Sequence, residues 1–428
     1  MRKRLTTTPD PLLLLIAATL VAFGDFYAYG AYAPRSLRLV AFGCLALGVS
    51  LLLPRARASY DVLVPQLAIL TLVGWQGLTL VRAPLIYGHG HALSDTKYLS
   101  IALSLFAAAA VLTTARVSDW WWRLLVVSFA VGAIATIRAS PRPSIDVWYL
   151  VQHASDCVLR GCDPYTLNTP QAPGLRIGFP YLPMTAVLLA PFRLVLHDIR
   201  YGEALAIVVA AVLLRRCGTR RTLRLSPLLL CVPGLFFQVE QAWTESLLLV
   251  LLIGAGAVSL RGWVSSGRWI AAGVLLGLAL ATKQHMWLLL PVAAVTLGVR
   301  TTVMSAATGA VLILPWFLAN PAAFWHRTVT DFLDIAPRAD ALTLWLHERS
   351  GSHTALAIVV LVVAYALVWL SCRGVPHRFM LGGATVLAGF DLMNKQSFYN
   401  QWVLVTWLLI AAAALELEYQ VSIVGREV

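Results

Sequence analysis

Charge is what this chain has least of. Of its 428 residues, 12% are Asp, Glu, Lys or Arg, well below the ~25% of an average soluble domain. Acidic residues number 20 against 33 basic ones, and only four of the latter are lysines. So few charges exclude an ordinary soluble surface. In their place are hydrophobic residues, 59% of the total, in runs that approach the ~20 residues needed to cross a bilayer. The net charge of +13 does not point to nucleic acid, because the arginines punctuate the apolar runs as the positive-inside rule predicts. The sequence also lacks a Walker motif, a dinucleotide glycine fingerprint, Ser-x-x-Lys and HExxH, which removes the chemistries those motifs serve. His89 and His91 form a lone His-x-His, too little for a metal site, so no metal and no cofactor is expected. Met1-Arg2-Lys3-Arg4 has the charge of a signal peptide, but the run at 12–29 is followed by further spans and reads as the first of them.

Hydrophobic windows set against flanking charge predict an all-α, polytopic protein with about fourteen spans. They fall at 11–30, 36–53, 62–82, 97–114 and 120–138, then at 201–216, 225–239, 243–260, 268–283, 286–299, 302–319, 353–372, 378–394 and 399–417. With an even number, both termini share a side. The clusters Arg2 and Arg4, Arg55/Arg57, Arg116, Arg215 with Arg216, Arg220, Arg221 and Arg224, Arg261/Arg268, Arg300 and Arg373/Arg378 then fall on that side, which is the cytoplasmic one. The run 182–196, interrupted by Pro183 and Pro191, is read as a re-entrant or juxtamembrane outer helix. Counting it as a fifteenth span would place five arginines within ten residues outside.

This topology gathers the unusual polar residues on the outer face. They are Asp146, the segment from Gln238 to Glu245, Lys283-Gln284-His285, the loop 320–352 and the segment from Asn394 to Gln401. Three of the four lysines, Lys97, Lys283 and Lys395, lie there against the topological trend, and ionisable residues of that kind mark functional sites. Asp146 opens a polar stretch that runs to about Pro183 and holds Asp156, Cys157, Arg160, Cys162, Asp163, Tyr165, Arg176 and Tyr181. Local sequence leaves Asp146 evenly divided between helix cap and general base. Lys283, His285, Lys395 and Gln396, with Arg338, suit a phosphate whose charge grows as it leaves; snorkelling to lipid headgroups, or an Asp391–Lys395 pair four residues apart, would explain the lysines equally. Glu240, Gln241 and Glu245 around Trp243, with Tyr399, suit sugar hydroxyls. Cys157 and Cys162 share the outer loop, where a disulfide is allowed, although spacing cannot show that their Cβ vectors face each other. The other four cysteines read as inert thiols.

Three segments together resemble a known family. Asp146 shortly after a span, followed by Leu159-Arg160-Gly161-Cys162-Asp163-Pro164-Tyr165 and Phe179-Pro180-Tyr181-Leu182-Pro183, resembles the first outer loop of the GT-C superfamily of integral-membrane glycosyltransferases. The nearest branch is the bacterial polyprenyl-phosphate-mannose-dependent mannosyltransferases. The run Ala272-Gly273-Val274-Leu275-Leu276-Gly277-Leu278-Ala279-Leu280-Ala281-Thr282-Lys283 is similar to that branch's glycine-rich span ending in lysine. Asn394-Lys395-Gln396-Ser397-Phe398-Tyr399-Asn400-Gln401 looks like its late outer motif.

The resemblance, over about residues 120–417, implies inverting transfer of a sugar, mannose before arabinofuranose, from a polyprenyl-phosphate carrier to a lipid or glycan hydroxyl outside the membrane. It gives Asp146 the role of base. It divides the chain into an N-terminal accessory block at 1–118, a catalytic domain at 119–417 with its outer loop at 139–200, and a cytoplasmic tail at 418–428. It is silent about the four N-terminal spans, which could dock a protein partner. The competing classes are a transporter or flippase of lipid-linked sugars and a non-catalytic assembly subunit.

Overall fold

The computed structural model describes residues 9–53, 60–82, 85–113, 115–167, 178–217, 225–260, 267–345 and 352–427. Among them every regular element is a helix, and one isolated bridge joins Ala31 to Ala341. The N-terminal helices are α1 (Pro11–Tyr27), α2 (Pro34–Leu52), α3 (Tyr60–Val81), α4 (Ala92–Leu112) and α5 (Ala115–Ala139). Then come α6 (Asp146–Leu159), α7 (Met184–Leu196), α8 (Arg200–Arg216), α9 (Leu235–Glu240), α10 (Glu245–Leu260) and α11 (Arg268–Leu280). The remainder are α12 (Leu289–Thr296), α13 (Val299–Ala319), α14 (Pro321–Trp325), α15 (His353–Cys372), α16 (Phe379–Leu392) and α17 (Tyr399–Glu427). Local chemistry starts several of them. Asp10 accepts the Leu12 N–H at 2.9 Å ahead of Pro11, and Asn320 accepts the Ala323 N–H at 3.1 Å ahead of Pro321, each a side-chain cap followed by proline at the first helical position.

Among the described residues seven helices, α2, α3, α4, α5, α13, α15 and α17, are long and apolar enough to cross a membrane. Shorter apolar helices are α1, α7, α10 and α11; the 13 residues of α11 rise about 20 Å, against a hydrocarbon core of about 30 Å. Two expected spans are not single helices. The run at 225–239 divides into a 3₁₀ turn at Ser226–Leu230 and the six-residue α9, separated at Pro233 and Gly234, whose φ is +81°. The run at 286–299 divides into a 3₁₀ turn at Gln284–Leu288 and the eight-residue α12. The physical reason is burial. Every residue from 225 to 242 except Cys231 is buried, and an apolar run surrounded by protein reads the same in sequence as one surrounded by lipid.

Burial also sorts the long helices. In α17, 89% of the spanning window is buried, whereas in α13 the figure is 11%, so α17 is the central post and α13 a peripheral helix. The expected boundary at 118 does not separate two cores. Helix α1 packs against both α2 and α17, and one hydrophobic cluster runs from Leu14 to Leu417. Helix α17 itself continues through the expected tail. Arg378, expected among surface cations, is buried in an ion pair with Glu416 at 2.5 Å, with His377 at 3.1 Å from the same carboxylate. Arg2, Arg4, Arg55, Arg57, Arg220, Arg221, Arg224 and Arg261 lie outside the described residues, as does Arg176.

The glycine-rich run in α11 has a packing explanation. A Cβ on Gly277 would lie 2.5 Å from Thr308 Cβ and 2.8 Å from the Ser305 carbonyl of α13, and Gly273 meets Met304 in the same way. Small residues four apart let two helices approach closely where lipid gives no hydrophobic drive for association. Gly277→Val should therefore cost about 1–3 kcal/mol through overpacking. Gly74→Val, at a position with nothing within 4 Å, should cost far less. Thermal unfolding in detergent micelles compares the two.

Candidate functional site

Asp146 is the first residue of α6, and its Oδ1 accepts the Val147 N–H at 2.9 Å. A carboxylate in a first turn is favoured by the helix dipole; the N-cap position itself is Ile145, and Asp146 lies half-buried at the start of the helix. Helix α6 packs on α7 over a separate cluster that includes Val151, Ala154, Phe179, Leu182 and Leu189. Polar ties fix this hairpin. Arg193 grips Asp156 through Nε–Oδ1 at 2.7 Å and Nη2–Oδ2 at 3.0 Å. Gln152 accepts the Ile199 N–H at 3.0 Å. Arg200 is fully buried; it pairs with Asp198 at 2.6 Å and donates to the carbonyls of Ser140 at 2.9 Å and Ile137 at 3.4 Å. It thus satisfies carbonyls at the C-terminal end of α5 that lack helical partners. Cys157 and Cys162 are joined as a disulfide, with Cα atoms 5.0 Å apart, which closes the end of α6.

The α6–α7 hairpin docks on the end of α11. Leu182 N donates to Thr282 O at 3.2 Å, Met184 N to Ala281 O at 3.0 Å and Thr185 Oγ1 to Thr282 O at 2.7 Å. Gln284 Nε2 reaches back to Pro180 O at 2.7 Å and across to Thr328 O at 3.1 Å. Two motifs a hundred residues apart in sequence thus form one contact. At its centre, Lys283 Nζ lies 2.5 Å from Glu245 Oε1 and 5.2 Å from the centroid of the Tyr181 ring. Asn400 Nδ2 donates to the same Glu245 oxygen at 2.7 Å. Both ion-pair partners are buried, and Glu245 Oε2 has no hydrogen-bond partner among the described residues. His285 stacks on Phe390 at 5.8 Å. Burial, with the Lys283 ammonium adding to it, pushes its pKa down to about 3, so at neutral pH it offers a hydrogen bond and not a charge.

Arg338, Lys395 and Gln396 form a second group. Lys395 Nζ donates to Leu333 O and Gln396 Nε2 to Ala336 O, each at 2.9 Å. Leu342 N donates to Ser397 O at 2.8 Å, so the strap 333–343 lies along 394–398. Arg338 covers the Phe398 ring at 4.6 Å and chelates Asp340 at 2.9 and 2.5 Å. Its guanidinium holds Asp340 below the usual carboxylate range. Lys395 forms no ion pair among the described residues, and buried Asp391 is not its partner.

Three residues expected at sugar hydroxyls have other contacts. Glu240 accepts the backbone N–H groups of Ile86 at 2.7 Å and Tyr87 at 2.8 Å, and Gln241 donates to it at 3.2 Å. Tyr399 is fully buried; it stacks on Trp243 at 5.4 Å and donates to Pro233 O at 2.7 Å. Lys97 donates to Leu80 O at 3.3 Å, near the C-terminal end of α3. Sequence reasoning missed Arg200 and Asn400. The latter sits inside a motif already singled out, and nothing in the local sequence marks Arg200. No protein-family model, curated protein or solved structure matches the chain.

The buried pair predicts a stability pattern. Lys283→Met leaves Glu245 buried without its cation and should cost about 3–5 kcal/mol, while adding Glu245→Leu should restore most of that loss. Urea unfolding of the purified protein in detergent measures both. Cys162→Ser, which opens a loop of six residues counting both ends, should cost about 2 kcal/mol on the chain-entropy account.

Proposed function

We propose that the chain is a membrane-embedded inverting glycosyltransferase. It takes a sugar, mannose by preference, from a polyprenyl-phosphate carrier and passes it to a hydroxyl of an envelope lipid or glycan outside the membrane. The observation that carries the reading is the docking of 180–185 on 281–284 around the buried Lys283, with Asp146 half-buried at the start of α6. In the reaction, the Asp146 carboxylate accepts the proton of the acceptor hydroxyl. The acceptor oxygen bonds to the anomeric carbon as the bond from that carbon to the carrier phosphate oxygen breaks. The phosphate leaves with the electron pair, and cations lower the energy of the charge it gains. Lys395, which has no carboxylate partner among the described residues, is the stronger candidate for that task. Lys283 already faces Glu245.

The placement of buried carboxylates favours this class over a transporter, which places ionisable groups near mid-bilayer. Asp25 lies two residues from the end of α1, Glu203 in the first turn of α8, Glu245 at the start of α10 and Asp391 next to the end of α16.

The test is sugar transfer from radiolabelled polyprenyl-phosphate mannose in membrane vesicles containing the full chain. Asp146→Asn should lower turnover by about 10²–10⁴-fold, the usual contribution of a general base; wild-type turnover in the folded variant would end the proposal for Asp146. Lys395→Gln should raise KM for the donor while leaving that for the acceptor near its original value, and the reverse pattern would remove the phosphate role.

A further inference from the structure

The four N-terminal helices have no part in the reaction just described, yet their α3–α4 loop reaches the segment that leads into Asp146. Glu240 receives the consecutive N–H groups of Ile86 and Tyr87, one on each carboxylate oxygen, and the Gly88 N–H also faces it. Successive backbone N–H groups around one anion form a nest, and here the anion is a fully buried side chain of α9. Held in this way, the loop makes two further contacts. His89 N donates to Ala139 O at 3.2 Å, at the end of α5, and the Tyr87 hydroxyl donates to Ser144 O at 2.9 Å. These points lie at the two ends of the short linker 139–144, which carries Pro141 and Pro143.

We infer that Tyr87, seated by Glu240, is a positioning residue for Asp146, and that the N-terminal block serves the reaction by supplying it. This rests on the transferase reading above. Glu240 also begins the short turn that ends at Glu245, the partner of Lys283. One brace therefore links the base and the lysine site and fixes the span between them. Burial pushes the Tyr87 hydroxyl up from its ordinary value, with the charges of Glu240 and Asp146 adding to it, so it stays protonated and continues to donate. A displacement of a catalytic group by about 1 Å can cost up to ~10²-fold in rate, which is the scale on which one lost tether acts.

The test separates the tether from its catalytic use. Ser144→Cys is introduced, and its reaction with a membrane-impermeant maleimide is timed with and without Tyr87→Phe. The tether predicts that labelling accelerates several-fold in the Tyr87→Phe background, and an unchanged rate overturns it. In chains without the cysteine, Tyr87→Phe and Glu240→Gln should each lower kcat for transfer from polyprenyl-phosphate mannose by about tenfold. KM should stay within about twofold of the parent value, the pattern of an effect confined to the transition state. Faster labelling with unchanged kcat, or a loss shared equally by KM and melting temperature, overturns the positioning role. Asp146→Asn in the same series reports on the transferase reading separately. If it retains full turnover, the base assignment and this use of Tyr87 fall together, while the labelling result still decides the tether.

Discussion

Lys283 and Glu245 form a buried ion pair on which three parts of the site depend. Glu245 begins α10, Lys283 follows the end of α11, and Asn400 at the start of α17 shares the same oxygen. Removing two charges from water costs several kcal/mol each, and the attraction between them offsets this only when the geometry is good and remaining polar atoms find partners. Asn400 supplies one such partner, and the face of the Tyr181 ring lies against the ammonium, an arrangement favourable for a cation. The pair therefore constrains its surroundings: a shift of α11 relative to α10 would separate the charges in a medium that screens them poorly. Because the α6–α7 hairpin is hydrogen-bonded to residues 281–284, it inherits that register.

The same pair shapes the chemistry proposed for the site. A phosphate arriving at Lys283 meets an ammonium already facing a carboxylate, so its binding there is a competition. Glu245 retains a buried oxygen without a hydrogen-bond partner among the described residues, so the pair leaves part of the carboxylate uncompensated. Lys395 presents the opposite case, an ammonium bonded to a carbonyl in a more exposed setting, where its charge is screened more but is not neutralised. On the proposed reading, the strap 333–343 and 394–398 offers a phosphate a simpler attraction than the interior does.

Much of this was readable in the sequence, and the failures have one cause. Low charge and long apolar runs establish the helical, membrane-type character, and the one-sided polar residues bring Lys283 and Glu245 to attention separately. Their partnership was not legible, because no local period relates residues 38 positions apart. The run at 225–239 reads as one continuous helix but is broken at Pro233 and Gly234, since hydropathy registers that a segment avoids water and not whether lipid or protein covers it. The partners of Glu240 are hidden from local sequence for a related reason. A carboxylate beside tryptophan in a short turn has the composition of a binding site, but the backbone amides that occupy it come from a loop 150 residues earlier in the chain. The Asp391–Lys395 spacing fits an intrahelical pair, yet α16 ends at Leu392 and carries Lys395 out of helical register.

The N-terminal block gains a role from the same geometry. Helices that only thickened the membrane domain could pack through apolar faces alone. The α3–α4 loop does more, because a buried carboxylate of α9 takes two of its backbone N–H groups as partners. Burying that carboxylate without them would cost far more than leaving it in water, so Glu240 and the loop require each other. A loop held this firmly transmits the position of the bundle to whatever it touches, and it touches both ends of the linker preceding Asp146. A half-exposed aspartate at a helix start would otherwise depend on a proline-containing connection for its placement. The brace removes that freedom, and a base needs such restraint more than a cap does.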